Sequence, residues 1–310
     1  MTPRGFAIVL FGSLLASSCA QPTPTVSAGL PQKAPGRYTY TIRSGGFDRT
    51  FALRVPKAYD GKRSLPLVVI LHGWTASGEL AEQYTRMAET AEREGFVLAA
   101  PDGLGQPRGW NAGFLDLSGK RADDVAFVSD VIDRSAKEVG VDPDRVFVAG
   151  HSNGAMLANL VGSRLGDKVA AVGSVAGIIG LPQTGGGTRT IPEPEVPVSV
   201  MLIHGKQDET VAYDPSSPGF LKGISAPDAA RWWAERIGAV GSPSRTSGQD
   251  GRVVTETWKA KDGREVVLIS IGNGSHAWPG GYTQGGRETR SGIDAAALLW
   301  EFFNRHRRGK

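Results

Sequence analysis

The sequence predicts an α/β fold, a mostly parallel central sheet with helices on both faces. Two patterns carry this. Short apolar runs rich in β-branched residues alternate along the chain with longer stretches of helical period. The runs are also apolar throughout rather than at every second residue, as strands covered on both faces must be. At 310 residues, 40% of them hydrophobic, the chain is long enough to bury a large core without disulfides or metals.

Residues 1–19 read as a signal peptide. Arg4 supplies a short positive region, and Phe6–Ala16 is an apolar run too short to span a bilayer as a lasting helix. Leu15-Ala16-Ser17-Ser18-Cys19 resembles a bacterial lipobox, which would make Cys19 the lipidation site and attach the protein to a membrane. Cleavage before Gln21 and simple secretion is the alternative. Cys19 is the only cysteine, so the mature chain forms no internal disulfide in either case. Residues 20–36, rich in Pro, Thr, Ser and Ala without a period, read as a flexible tether, and residues 37–310 as a single α/β domain.

The folded part opens with strands Tyr38–Arg43 and Thr50–Val55, joined by the Gly45-Gly46 turn. Leu65–Leu71 suits a buried central strand. Ser77–Glu94 follows as a helix with its stripe at Leu80, Tyr84, Met87, Ala88 and Ala91. Phe96–Ala100 is a strand, Asp123–Val139 a helix, Val146–Ala149 a strand and Ala155–Leu165 a helix. Asp123 and Asp124 start their helix and are expected to cap it. Strands at Val169–Val175, Val198–Ile203 and Val266–Ile271 precede a last helix marked by Ile293, Ala296, Ala297, Trp300 and Phe303. Residues 182–197, rich in Gly and Pro, form either an excursion over the site or a plain surface loop. Trp232 and Trp233 lie in a helical segment and read as packing. The net charge of +4 is dispersed, which argues against nucleic acid, and the cluster Arg305, Arg307, Arg308 and Lys310 complements a helix C-terminus.

Gly150-His151-Ser152-Asn153-Gly154 matches the G-x-S-x-G nucleophile elbow. In a chain with 42 glycines the pattern alone says little. Its position says more: it lies directly between a strand and a helix, where a sharp turn lifts a serine hydroxyl above the sheet and points helix N–H groups at developing negative charge. Ser152 is thus the candidate nucleophile, and it needs a base. Of the five histidines, His72 belongs to another motif, His151 is inside the elbow, His204 ends a strand and His306 lies in the last helical turn. His276 remains, in the loop Gly272–Gly280 after an apolar strand. The acid should follow a strand between the two. Asp208 does so, with Glu209 and Asp214 as fallbacks, and would hold the imidazole tautomer. The loop after Leu71-His72-Gly73 offers the Trp74 N–H to an oxyanion, and Asn153 the second donor. Trp74, Trp110 and Trp278 lie on loops at carboxyl ends of strands and either line a substrate cleft or pack those loops.

With Leu71-His72-Gly73, Trp110-Asn111-Ala112-Gly113, Asp123-Asp124-Val125, Gly150–Met156, His204-Gly205 with Asp208, Val211 and Tyr213, and His276 with Trp278-Pro279-Gly280, the chain resembles the polyhydroxybutyrate depolymerase and feruloyl esterase branch of the α/β-hydrolases. The resemblance implies Ser152, Asp208 and His276 as the triad and a small or oligomeric ester, feruloyl, acetyl or hydroxyalkanoate, as substrate. The chain departs from the branch at Phe114-Leu115-Asp116-Leu117, where many members carry cysteines, and shows no separate polymer-binding domain. No spacing points to a metal or a cofactor: Gly103-Leu104-Gly105 with Gly109 opens no helix. The expected activity is hydrolysis of carboxylic esters. A serine peptidase of the same fold and a non-catalytic surface lipoprotein are the alternatives, and the oligomeric state is open.

Overall fold

The apolar runs become the middle of a ten-stranded sheet in the computed structural model, which describes residues 1–2 and 33–309, except 249, 284, 285 and 290. Cys19, most of the predicted signal peptide and the tether up to residue 32 lie outside the described residues. In chain order the elements are β1 (Gly36–Ser44), β2 (Phe47–Val55), β3 (Leu65–Leu71), α1 (Gly78–Tyr84), α2 (Met87–Glu94), β4 (Val97–Pro101), α3 (Asp124–Glu138), β5 (Val141–His151) and α4 (Asn153–Arg164). There follow β6 (Ala171–Val175), β7 (Gly180–Pro182), β8 (Thr188–Thr190), β9 (Ser199–Gly205), α5 (Ala226–Arg236), β10 (Ser244–Gly248), β11 (Val253–Lys259), β12 (Glu265–Ile271) and α6 (Ala295–Asn304).

The sheet order is β1-β2-β4-β3-β5-β6-β9-β12-β11-β10. The six strands from β4 to β12 are parallel, and antiparallel pairs close both edges. Strand geometry sends alternate side chains to opposite faces, and β3 shows the result. Leu65, Leu67, Val69 and Leu71 pack with Phe127 and Val131 of α3, Leu157 of α4 and Trp233 of α5. Val68 and Ile70 face the other way, toward Met87 and Ala91 of α2 and Leu299 and Phe303 of α6. Every residue of β3 is buried.

In its elements the structure departs from the sequence expectation in two places, and it decides between the alternatives left open at residues 182–197. The helix expected over Ser77–Glu94 is two helices, because Arg86 takes a left-handed φ of 60°. Thr85 stabilises the break: its hydroxyl donates to Ala81 O and accepts from Met87 N–H, while Tyr84 O turns out to accept from Tyr282 N–H at 2.8 Å. The antiparallel strands β10 and β11 extend the far edge where no strand was expected. Residues 182–197 form a surface segment that includes part of the β7–β8 hairpin; Pro192 O accepts from Ser163 and Glu193 pairs with Arg236, and none of its residues lines the cavity around Ser152.

Buried polar contacts fix the loops at the carboxyl ends of the parallel strands. Asp123 caps α3 as expected, accepting from Ala126 N–H. Asp124 does not cap. It is buried and pairs with the equally buried Arg49 at 2.6 Å, while its other oxygen accepts from Asn111 N–H at 2.8 Å. The Arg49 guanidinium also lies 3.9 Å from the Phe127 ring centroid. His72 is the second anchor. Gly103 N–H donates to its Nε2 at 2.8 Å, so the ring proton sits on Nδ1 and is donated to Gly73 O at 2.7 Å. Trp110 lies against the His72 ring and donates its indole N–H to His72 O at 2.8 Å.

Two consequences can be measured. Removing one charge of a buried pair leaves the other uncompensated, so Asp124→Asn is expected to lower the urea-unfolding free energy by about 3–5 kcal/mol; a loss within error of zero would mean that Arg49 finds another partner. Burial also lowers the His72 imidazole from 6.5 to about 4. Between those values the unfolded chain takes up a proton that the native chain refuses, so stability falls as pH falls from 6.5 to 4, by about 3 kcal/mol for this group. Unfolding free energies measured across that range should fall less steeply in His72→Gln; an unchanged slope would remove His72 from the acid response.

Candidate active site

Ser152 occupies the turn between β5 and α4, with φ 55° and ψ −119°. A side-chain-bearing residue in this region is strained by about 1–3 kcal/mol and persists only if its surroundings enforce it. Here they do. Ser152 N–H donates to Val175 O at 2.9 Å. A Cβ on Gly150 would stand 2.2 Å from Gly154 O, and one on Gly154 would stand 2.3 Å from Leu71 O. Only glycine lets the turn close this tightly against itself and against β3.

The elbow brings Ser152 Oγ within 2.9 Å of His276 Nε2, and His276 Nδ1 lies 2.8 Å from Asp208 Oδ2. A neutral imidazole with its proton on Nδ1 satisfies both contacts, donating to the carboxylate and accepting from the serine hydroxyl. Asp208 is fully buried, and its other oxygen accepts from the N–H groups of Thr210 and Val211, both at 2.8 Å. Burial alone would raise its pKa, but hydrogen bonds from His204 and His276 outweigh it and hold the carboxyl well below the usual carboxylate range. Of the fallback acids, Glu209 is exposed and Asp214 is spent on the turn at Ser216 and Ser217.

Two histidines set aside in the sequence turn out to support the third. His151 Nε2 lies 2.7 Å from His276 O and donates to it, tying the elbow to the histidine loop. Burial, then the neighbouring His276, lowers the His151 imidazole to about 3, so it stays neutral. His204 Nε2 lies 3.3 Å from Asp208 Oδ2, the oxygen that also faces His276, and donates to Val211 O at 3.0 Å. The sequence signal for His204 was its spacing of four residues from Asp208. For His151 there was none beyond adjacency to Ser152, because its partner is 125 residues away.

Asn153 turns its side chain away from the cleft: Oδ1 accepts from Trp110 N–H at 2.7 Å and Nδ2 donates to Trp110 O. Its backbone N–H belongs to the first turn of α4, where no intrahelical acceptor exists. His72 pins Gly73 O, and a trans peptide then directs the Trp74 N–H to the opposite side. Above Ser152 opens a cavity of about 1000 Å3, lined by Trp74, Leu80, Tyr84, His151, His276 and Trp278 among others. Trp278 forms part of the wall while nearly all of its surface is packed away. Trp110 corrects the expectation of a substrate contact. It is fully buried, does not line the cavity, and serves as the strut between His72 and Asn153.

Sequence and structure comparisons agree with this architecture. The family described as Esterase PHB depolymerase matches residues 49–184, a span that includes Trp74, Trp110 and the elbow. Feruloyl esterase B of Piromyces equi is 28% identical over 236 residues, which are 74% of this chain and 42% of that protein. The bifunctional acetylxylan esterase/xylanase of Neocallimastix patriciarum is 30% identical over 157 residues, 51% of this chain and 21% of that protein. The chain therefore spans less than half the length of these two relatives. The acetyl xylan esterase from Aspergillus awamori has the same fold, with a TM-score of 0.62 at 15% identity over 86% of this chain and 99% of that one. The chain shares the α/β-hydrolase fold and is similar, over residues 49–184, to the Esterase PHB depolymerase family and, over longer or comparable stretches, to feruloyl and acetylxylan esterases.

Proposed function

We propose that the protein is an exported serine esterase that hydrolyses acetyl- or feruloyl-type carboxylic esters through an acyl-enzyme. The observation that carries this is the line of contacts from Ser152 Oγ to His276 Nε2, 2.9 Å, and from His276 Nδ1 to Asp208, 2.8 Å, with Ser152 in a strained elbow at the floor of an open cavity. Ser152 Oγ attacks the ester carbonyl as His276 takes its proton. The N–H groups of Trp74 and Asn153 hold the oxyanion, and Asp208 balances the imidazolium. The alcohol leaves with the proton from His276, and water then repeats the sequence on the acyl-enzyme. The names of the relatives support the acyl classes, and the lipobox-like segment ending at Cys19 supports export with a lipid anchor.

Ser152→Ala is expected to abolish hydrolysis of p-nitrophenyl acetate and methyl ferulate, and labelling by a fluorophosphonate, while leaving the thermal transition in place. Retained turnover would remove Ser152 from the chemistry, and cleavage of a peptide library in preference to the esters would make the protein a peptidase. For the anchor, cells grown with a radioactive fatty acid should yield labelled protein that Cys19→Ala lacks; equal labelling of both forms would end the lipoprotein reading.

A further inference from the structure

The break between α1 and α2 leaves Tyr84 at the edge of the cavity, held at both ends. Its carbonyl accepts from Tyr282 N–H at 2.8 Å, and its hydroxyl oxygen accepts from Gly73 N–H at 3.2 Å. The ring meets the edge of His151, with 5.5 Å between centroids. A tyrosine hydroxyl carries one proton to donate as well as lone pairs to accept. Gly73 uses a lone pair. The proton has no acceptor among the described residues, and Tyr84 lines the cavity that holds Ser152 and His276. Burial raises the hydroxyl well above the ordinary tyrosine range, so the proton stays in place at any working pH.

The location of this unspent donor is specific. Gly73 is the residue before Trp74, and a Cβ built on Gly73 would stand 3.6 Å from Ser152 Cβ. The Tyr84 oxygen and the Trp74 N–H therefore flank one residue, a glycine whose missing side chain would stand against the nucleophile. We propose that the Tyr84 hydroxyl is a third donor to the oxyanion, beside the backbone N–H groups of Trp74 and Asn153; this rests on Ser152 being the nucleophile. As Ser152 Oγ bonds to the carbonyl carbon, the π pair moves to the carbonyl oxygen and the serine proton to His276. The Tyr84 proton stays on Tyr84 throughout and is shared with the oxyanion as a hydrogen bond, which strengthens as charge builds up there. It returns to the cavity when the tetrahedral intermediate collapses.

The test uses the purified full chain and p-nitrophenyl acetate. Tyr84→Phe is expected to lower kcat about 100-fold with KM changed little, the signature of a contact made in the transition state. Because the same change also removes the acceptor of Gly73 N–H, a second variant separates the two roles. A ring-fluorinated tyrosine incorporated at position 84 keeps the oxygen but ionises at much lower pH. As a donor it must fail on ionising, giving an alkaline fall in kcat that the wild type lacks; His151, His276 and Tyr282, the other titratable side chains lining the cavity, are the same in both proteins. As an acceptor alone it would improve on ionising. An unimpaired Tyr84→Phe enzyme, or a fluorinated one that holds its kcat through ionisation, overturns the proposal while fluorophosphonate labelling of Ser152 still stands. A wild type that is not labelled at Ser152 overturns the nucleophile and the Tyr84 role together.

Discussion

The positive φ of Ser152 is the constraint around which the site is organised. A strained residue at the end of a buried parallel strand survives only where relaxing it would cost more than the strain itself. Three neighbours set that cost: Val175 O accepts the serine N–H from β6, the backbone of Gly154 lies against Gly150, and Leu71 at the end of β3 lies against Gly154. The elbow is thus gripped by the strands on both sides of β5. The same turn that strains the backbone starts α4 one residue later, so hydroxyl and helix N-terminus face the same space.

Charge is distributed around the cleft with equal economy. His72 and His151 are kept neutral by burial, and Asp208 is the buried anion beside His276. That pattern matters for His276, which in the proposed mechanism becomes a cation. A charged His151 five ångströms from it would oppose the proton transfer, whereas a neutral one donates to its carbonyl and positions the ring. His204 does the corresponding work on the carboxylate. By sharing Asp208 Oδ2 with His276 it opposes the rotation that would take that oxygen away from His276 Nδ1.

Much of this was legible in the sequence, because the chemistry depends on local signals. An apolar run, a tight glycine-flanked serine and a helix are contiguous, and the order of serine, acid and histidine follows from strands that could be read one at a time. The parallel core and the candidate triad came from such signals. What was not legible depends on contacts distant along the chain. Trp110 shares the tryptophan signal of a cleft wall, yet its loop is drawn inward by Asn153, 43 residues on. Asp124 reads as a cap from its position, and only the return of β2 across the sheet brings Arg49 to it. The Ser77–Glu94 stripe looks like one helix because periodicity survives a one-residue left-handed break, and Tyr84, the last residue of the helix before that break, lines the cavity.

These contacts divide the cleft into two kinds of surface. The floor and its donors are overdetermined: His72, Trp110, Asn153 and His151 each tie two loops together with buried hydrogen bonds, so a small displacement in any one would unsatisfy a polar group. The outer wall is built differently. Trp74 and Leu80 are about half exposed and owe their places to a short helix and the turn before it. A change of side chain there alters the shape met by an acyl or alcohol group without disturbing a buried donor. In the proposed esterase, substrate choice would then vary at the wall while the geometry between Ser152, His276 and Asp208 stays fixed, and the separation follows from which hydrogen bonds are buried.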